Sequence, residues 1–166
     1  GRCCRFDEND ARALGRTASG VRGINIDEDD EVIGMIAYDP TAEDAQAHSL
    51  LVVSEHGYGK RSDFDEYRKT NRGGKGVKTL NITEKTGELV AMKNVTDEND
   101  LMIINRSGIT IRMAVADIKV AGRATQGVKL INIKDGDSIA AISAVNKSEE
   151  ETSDQQAEPA QEQTNE

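Results

Sequence analysis

The chain has 166 residues, 36% of them apolar, 3% aromatic and 31% charged, with 21 basic against 30 acidic side chains and a formal net charge of −9. So acidic a balance argues at first against a nucleic-acid partner, and no stretch approaches the roughly 18–20 consecutive apolar residues a membrane-spanning helix needs. The start carries no charged-then-apolar export signal, so a soluble, cytoplasmic chain with no membrane partner is expected.

From the N-terminus, the first chemistry-bearing residues are Cys3 and Cys4, the only cysteines. Adjacent residues point to opposite faces of a strand, so the pair is poorly placed to form a disulfide, and it lacks the further Cys or His a zinc site needs. Two reduced, partly buried thiols are expected.

Residues 15–26 then open a pattern that returns at 71–82 and at 122–133. Register is set by Arg16, Arg72 and Arg123, by Gly20, Gly76 and Gly127, by Val21, Val77 and Val128, and by Asn25, Asn81 and Asn132. The offsets, 56 and then 51, also carry Gly1 onto Gly57 and Gly108, and Arg5 onto Arg61 and Arg112. The match runs through the whole period, the mark of a repeated structural unit. The extra residues of the first period fall in the polar stretch 39–49, read as a loop with an insertion.

Within each unit the pattern is of strands. Residues 50–53 and 101–104 are short apolar runs followed by turn signals at Glu55-His56-Gly57 and Asn105-Arg106-Ser107-Gly108. After the glycine motif, Ile24 and Ile26, Leu80 and Ile82, and Ile131 and Ile133 alternate with polar residues, the period of a half-buried strand. A last apolar strand is expected over 32–38, 89–95 and 138–145. About four strands per unit, joined by tight turns, define an all-β, propeller-like array of blades, with units at about 1–45, 46–97 and 98–147. Rings of this type close with about four to eight blades, so a partial array continuing upstream of Gly1 is expected. Residues 148–166 hold seven carboxylates, no Lys or Arg, and only two Ala as apolar matter, the composition of a disordered acidic tail.

Without that tail the balance is 23 acids against 21 bases, and the bases recur by register. Arg5, Arg61 and Arg112 form one set, Arg12, Arg68 and Lys119 a second, Arg16, Arg72 and Arg123 a third, and Arg22, Lys78 and Lys129 a fourth; Lys60 and Lys75 recur less strictly. Cations have no evident reason to recur in a core, so these positions are expected on one rim. Residues 60–78 carry seven bases against three acids around Gly73-Gly74-Lys75-Gly76, a loop able to hold phosphate through main-chain N–H groups and flanking cations. The spacing is not that of a nucleotide-binding P-loop, because Val77 and Lys78 follow Gly76. Gly20, Gly76 and Gly127 are read as backbone positions where a side chain would not fit, and the three Asn as partners for buried backbone groups. The aromatics are five in number with no Trp, too few to stack a single strand, so contact with duplex phosphates fits better.

These residues resemble a known family. Residues 57–61, 72–76 and 123–128, with the period across about 1–147, are similar to the C-terminal domain of the A subunit of DNA gyrase. The family's defining box is Gln-Arg-Arg-Gly-Gly-Arg/Lys-Gly; the segment Thr70-Asn71-Arg72-Gly73-Gly74-Lys75-Gly76 has one of the paired arginines and lacks the Gln. The resemblance implies a β-pinwheel, a propeller-like disc of about six blades, whose basic rim wraps double-stranded DNA for negative supercoiling by an ATP-dependent type IIA topoisomerase. It implies as partners the rest of the gyrase A protein and the gyrase B protein in an A2B2 assembly, in the bacterial cytoplasm and associated with the nucleoid. No cofactor is implied for this piece, and ATP and Mg2+ are implied for other parts of the parent enzyme. The implied DNA-binding residues are the four cationic sets with Lys60, Gly73, Gly74 and Lys75. The corresponding domain of topoisomerase IV is the rival within the family, and a propeller-type protein interaction scaffold is the reading from another class. Catalysis by the chain itself is the weakest reading, since His48 and His56 fall in non-equivalent turns and no nucleophile triad is spaced for reaction.

Overall fold

The computed structural model describes residues 1–147, so the acidic tail expected over 148–166 lies outside the described residues. Among the described residues there are nine strands: β1 (Arg2–Cys3), β2 (Ser49–Ser54), β3 (Tyr58–Ser62), β4 (Val77–Lys78), β5 (Leu89–Val95), β6 (Asn99–Asn105), β7 (Thr110–Ala114), β8 (Val128–Lys129) and β9 (Ile139–Asn146). Short 3-10 turns at Glu8–Asp10, Ala45–Ala47, Phe64–Glu66 and Val115–Asp117 join them, and there is no α-helix among the described residues. The all-β architecture expected from the pattern is therefore present.

The two apolar runs at 50–53 and 101–104 each begin a hairpin. β2 returns as β3, and Gly57 takes φ +86° at the turn while the Ser54 hydroxyl donates to the Tyr58 carbonyl at 3.1 Å. β6 returns as β7 through Gly108 at φ +88°. On the other side of each hairpin lies the last strand of the same unit, β5 against β2 and β9 against β6, giving antiparallel sheets in the orders β5-β2-β3-β8 and β7-β6-β9.

The fourth strand of the larger sheet does not come from its own unit. β8 belongs to the third repeat yet pairs with β3 of the second, Tyr58 opposite Lys129 and Gly59 opposite Val128. The first junction repeats this, with β4 of the second repeat on β1 of the first, Arg2 opposite Lys78 and Cys3 opposite Val77. The registers are related by the same offsets of 56 and 51 that relate the sequences. A blade in space is thus built from two consecutive sequence units.

That exchange explains the recurring glycine. Entering β8, the chain crosses the backbone of β3 so closely that a Cβ on Gly127 would lie 2.5 Å from the Gly59 carbonyl oxygen, and Gly127 also has φ +80°. Gly76, at φ +72°, crosses Cys3 in the same way. Gly20 shares the conformation, φ +81°, with open space around it.

Two expected strands differ. Past the glycine motif the first unit has no strand and the later two have only two residues each, β4 and β8, because the chain then leaves to pack Leu80 and Ile131 inward. Residues 32–38 form no strand: β5 and β9, their repeats, pair with β2 and β6, and this sequence contains no equivalent of β2 for the first unit. Val32 and Met35 are accordingly exposed.

The core is divided by β2, whose six residues are all buried. Alternation sends Leu51 and Val53 to one side, with Val95, Leu101, Ile103 and Val115, and Leu50 and Val52 to the other, with Phe64, Tyr67 and Leu80. Each such aliphatic side chain contributes about 1.5–3 kcal/mol when fully buried. Gly127→Ala is expected to destabilise the chain by about 2–4 kcal/mol, because it adds a backbone clash to a strained φ, whereas Gly20→Ala costs about 1–2 kcal/mol from conformation alone. Equal shifts in urea-unfolding midpoint for the two variants would contradict the crossing as the cause.

Candidate nucleic-acid interface

The recurring cations separate by what their heads touch. Arg5 reaches forward into the next unit, where Nη1 donates to the carbonyls of Phe64 at 2.9 Å and Tyr67 at 3.0 Å. Arg61 does the same one unit on, with Nη1 on the carbonyls of Val115 at 3.3 Å and Ile118 at 3.4 Å. Those acceptors are equivalent by repeat offset and flank the 3-10 turn of each unit. Short bridges accompany both contacts, Arg5 beside Lys69 and Arg61 beside Val120. Arg61 is only 5% exposed and further donates to Asp97 at 2.6 Å and Ser49 at 2.8 Å. Arg112, with no following unit in this sequence, turns to Asp100 at 2.7 Å.

A second set reaches backward. Arg72 Nε donates to the Asp10 carbonyl at 3.0 Å and its Nη1 to the Arg22 carbonyl at 2.5 Å. Arg123 binds the equivalent pair, Glu66 at 3.0 Å and Lys78 at 2.8 Å. Arg16 is exposed, and the unit it would reach is not in this sequence. Charge-assisted bonds to main-chain carbonyls, those of Phe64 and Val115 also accepting the N–H that closes their own 3-10 turn, therefore clasp each junction from both sides. The expectation that cations have no reason to recur inside is corrected here: the arginine fork satisfies main-chain acceptors where one unit ends and the next begins.

Lys60 is also interior, 1% exposed, with Nζ donating to the carbonyls of Gly122 at 2.8 Å, Thr125 at 2.9 Å and Arg123. Burial lowers its pKa to about 8, with neighbouring Arg123 acting in the same direction and Glu66 against it. Neither Lys60 nor Arg61 presents its charge to solvent.

Apart from Arg16 and the Asp100-paired Arg112, the exposed recurring cations form a distinct group: Arg12, Arg68 and Lys119, Arg22, Lys78 and Lys129, and Lys75. Among the described residues none of these side chains has an ion-pair partner. The latches bring them together. Because Arg123 holds the carbonyls of both Glu66 and Lys78, the segments bearing Arg68 and Lys78 converge on one guanidinium, and Arg72 gathers Arg12 and Arg22 likewise. In the glycine loop the Gly73 N–H is already given to the Gly23 carbonyl at 2.8 Å, and the Gly74 carbonyl accepts from Asn25 N at 2.9 Å. It is the backbone N–H of the repeated Asn that makes this recurring bond, Asn81 N donating to Thr125 at 3.1 Å, while Asn25 and Asn132 are exposed. Arg2 clamps the same loop from below, donating to the carbonyls of Lys75 at 3.1 Å and Gly76 at 2.8 Å. No sequence signal marks Arg2, since its repeat equivalents are Tyr58 and Ile109.

The aromatics face inward. Tyr38 and Phe64 stack at 4.0 Å, Tyr58 and Tyr67 are buried, and Phe6 is half-buried. His48 fastens the insertion loop, with Nδ1 2.8 Å from Asn94 Oδ1 and Nε2 3.1 Å from Asp44 Oδ2, contacts that raise its pKa. Both cysteines are free and half-buried, and burial raises the pKa of Cys3. Among the described residues no group of His, Cys, Asp and Glu could hold a metal ion, and no helix is long and apolar enough to cross a membrane.

Antiparallel blades with an exchanged outer strand and a cationic junction define a propeller-type repeat module. The family model described as "DNA gyrase C-terminal domain, beta-propeller" matches residues 1–39, 48–96 and 99–146, leaving out mainly the inserted loop, and the chain belongs to that family. The DNA gyrase A protein of Staphylococcus epidermidis (strain ATCC 12228 / FDA PCI 1200) is 47% identical over 146 residues, covering 88% of this chain and 16% of the relative. The DNA gyrase A protein of Staphylococcus aureus (strain MRSA252) is 46% identical over 154 residues, covering 92% and 17%. The chain thus spans about a sixth of the length of these relatives. Among solved structures, a DNA gyrase A C-terminal domain matches with TM-score 0.75 and 23% identity over 87% of this chain and 47% of that one. The C-terminal domain of a DNA topoisomerase IV matches with TM-score 0.76 and 19% identity over 88% and 44%, so the fold is shared by both.

The division of the cations has a direct test. Arg61→Met is expected to lower unfolding stability by about 2–4 kcal/mol, since it removes the buried guanidinium that bonds Ser49, Asp97 and the carbonyls of Val115 and Ile118, while Arg68→Ala changes it by no more than about 0.5 kcal/mol. Denaturant titration followed by far-UV circular dichroism distinguishes the two.

Proposed function

We propose that the exposed cations gathered at the unit junctions bind the phosphates of double-stranded DNA and guide it along the edge of the array, the wrapping role of a gyrase A C-terminal domain. The observation that carries this reading is the split itself. Cations at some repeated positions are consumed by main-chain carbonyls, and those at Arg12, Arg68 and Lys119 and at Arg22, Lys78 and Lys129 recur with equal regularity while staying solvent-exposed, with no ion-pair partner among the described residues. Structural need accounts for the first group and leaves the second free for a ligand of opposite charge. Inward-facing aromatics leave no platform for stacking unpaired bases, which favours duplex over single strands. Lys75, exposed above a loop clamped by Arg2, adds a further phosphate contact.

In the parent enzyme this rim would deliver duplex to a cleavage core, supporting negative supercoiling by an A2B2 assembly of the gyrase A and gyrase B proteins in the bacterial cytoplasm. ATP and Mg2+ would be used there by other domains. The relatives near 47% identity favour gyrase over topoisomerase IV as the parent.

Binding through phosphates weakens with salt by about 0.9 in the slope of log K against log salt for each contact. Replacing Arg12, Arg68, Lys75 and Lys119 together by Glu is expected to reduce duplex affinity by about 100-fold or more at low salt and to flatten that slope, without loss of stability. A mobility-shift titration across salt measures both. Retained affinity in a folded quadruple variant would refute the rim, and would turn attention to a protein ligand.

A further inference from the structure

We propose that Lys60 is a positioning residue: its ammonium gathers the carbonyls of the loop over residues 122–125 and so sets the Arg123 latch on which the exposed cations of the second unit converge. Three carbonyl oxygens, those of Gly122, Arg123 and Thr125, meet at Nζ, with the Thr125 hydroxyl at 3.3 Å. An ammonium has three hydrogens to donate and no lone pair to repel these dipoles, and nothing apolar of similar length could hold them together.

The repeat shows what Lys60 replaces. In the second unit the equivalent loop contains Gly73, at φ +80°, and Gly74, and the residue equivalent to Lys60 is Cys4. Its thiol is 3.9 Å from the Asn71 carbonyl and 3.8 Å from the Thr70 hydroxyl, weak contacts that the glycine loop does not depend on. In the third unit Ala124 and Thr125 stand in place of the two glycines, and no non-glycine residue has positive φ among the described residues. The third loop therefore takes a different φ at Ala124 than the second does at Gly73, and the carbonyls of Gly122, Arg123 and Thr125 close on Nζ where the second loop has only the Cys4 thiol. Arg123 sits at its centre, its own carbonyl on Lys60 and its guanidinium on the carbonyls of Glu66 and Lys78. Fixing the first fixes the base from which the second reaches.

The inference concerns the loop by itself, and it rests on the proposed function only where DNA is measured. In the full wild-type chain, 15N-detected ammonium spectra are expected to show one lysine Nζ signal with slow solvent exchange, lost in Lys60→Met. Absence of such a signal from the wild type overturns the cage, whatever the variant does. In Lys60→Met, amide exchange at residues 123–126 is expected to rise about tenfold or more while residues 101–103 in β6 keep their protection. Unchanged exchange at 123–126 also overturns it. Duplex affinity is expected to fall about threefold to tenfold with the salt slope unchanged, whereas a slope lower by about 0.9 would mean that Lys60 itself meets a phosphate and is no positioning residue. Should the wild-type chain fail to bind duplex, the proposed function falls, and the ammonium signal and the loop exchange still decide on Lys60.

Discussion

The crossing of one unit's chain over the backbone of the unit before it is the constraint on which the rest of the structure depends. β8 can pair with β3, and β4 with β1, only if the incoming loop passes within contact of a main-chain carbonyl, which forbids a side chain at Gly127 and Gly76. Once the strand has been handed across, the end of each 3-10 turn and the edge of each short strand are left with carbonyls that no sheet can use. The arginine forks answer that need, Arg5 and Arg61 from one side, Arg72 and Arg123 from the other. Strand exchange, glycine and arginine are three parts of one junction, and they recur together because none works without the others.

This junction also decides where free charge can sit. Arginines that reach carbonyls are committed, so the cations left for a ligand occupy positions two residues beyond an acceptor, as Arg68 follows Glu66, or on the acceptor residue itself, as with Lys78. A latch and a phosphate contact are then neighbours along the chain with different duties. Net charge reports neither. The −9 of the whole chain sums a carboxylate-rich end with acidic turns that stand right beside the free cations, Asp10 before Arg12, Glu66 before Arg68 and Asp117 before Lys119.

Much of the fold was legible because the unit is repeated. The two hairpins, the last strand of each later unit and the need for Gly20, Gly76 and Gly127 all follow from register and alternation. The exchange of strands was not legible, since two-residue strands such as β4 and β8 carry too little pattern to show which neighbour they pair with. At the site, register found the right cations and could not sort them. A recurring Arg whose guanidinium is buried on carbonyls looks, in sequence, the same as one that faces water, and Lys60 and Arg61, adjacent and both interior, stand where alternation along β3 would send one outward. Arg2 escaped notice for the opposite reason, clamping the glycine loop from a position that does not repeat.

The burial of β2 on both faces has a mechanical consequence. Leu50 and Leu51 are consecutive, yet one packs toward the first unit and the other toward the third, so the two cores share a wall a single strand thick. On one flank β5 and β9 touch, and elsewhere the units are clasped by arginine. The wedge between neighbouring sheets is therefore filled by a few side chains whose volumes set its opening, and close-packed interiors yield little. The curvature of the whole array, and with it the arc along which any ligand could lie, is in this sense encoded in the sizes of apolar residues such as Val53, Ile103 and Ile142.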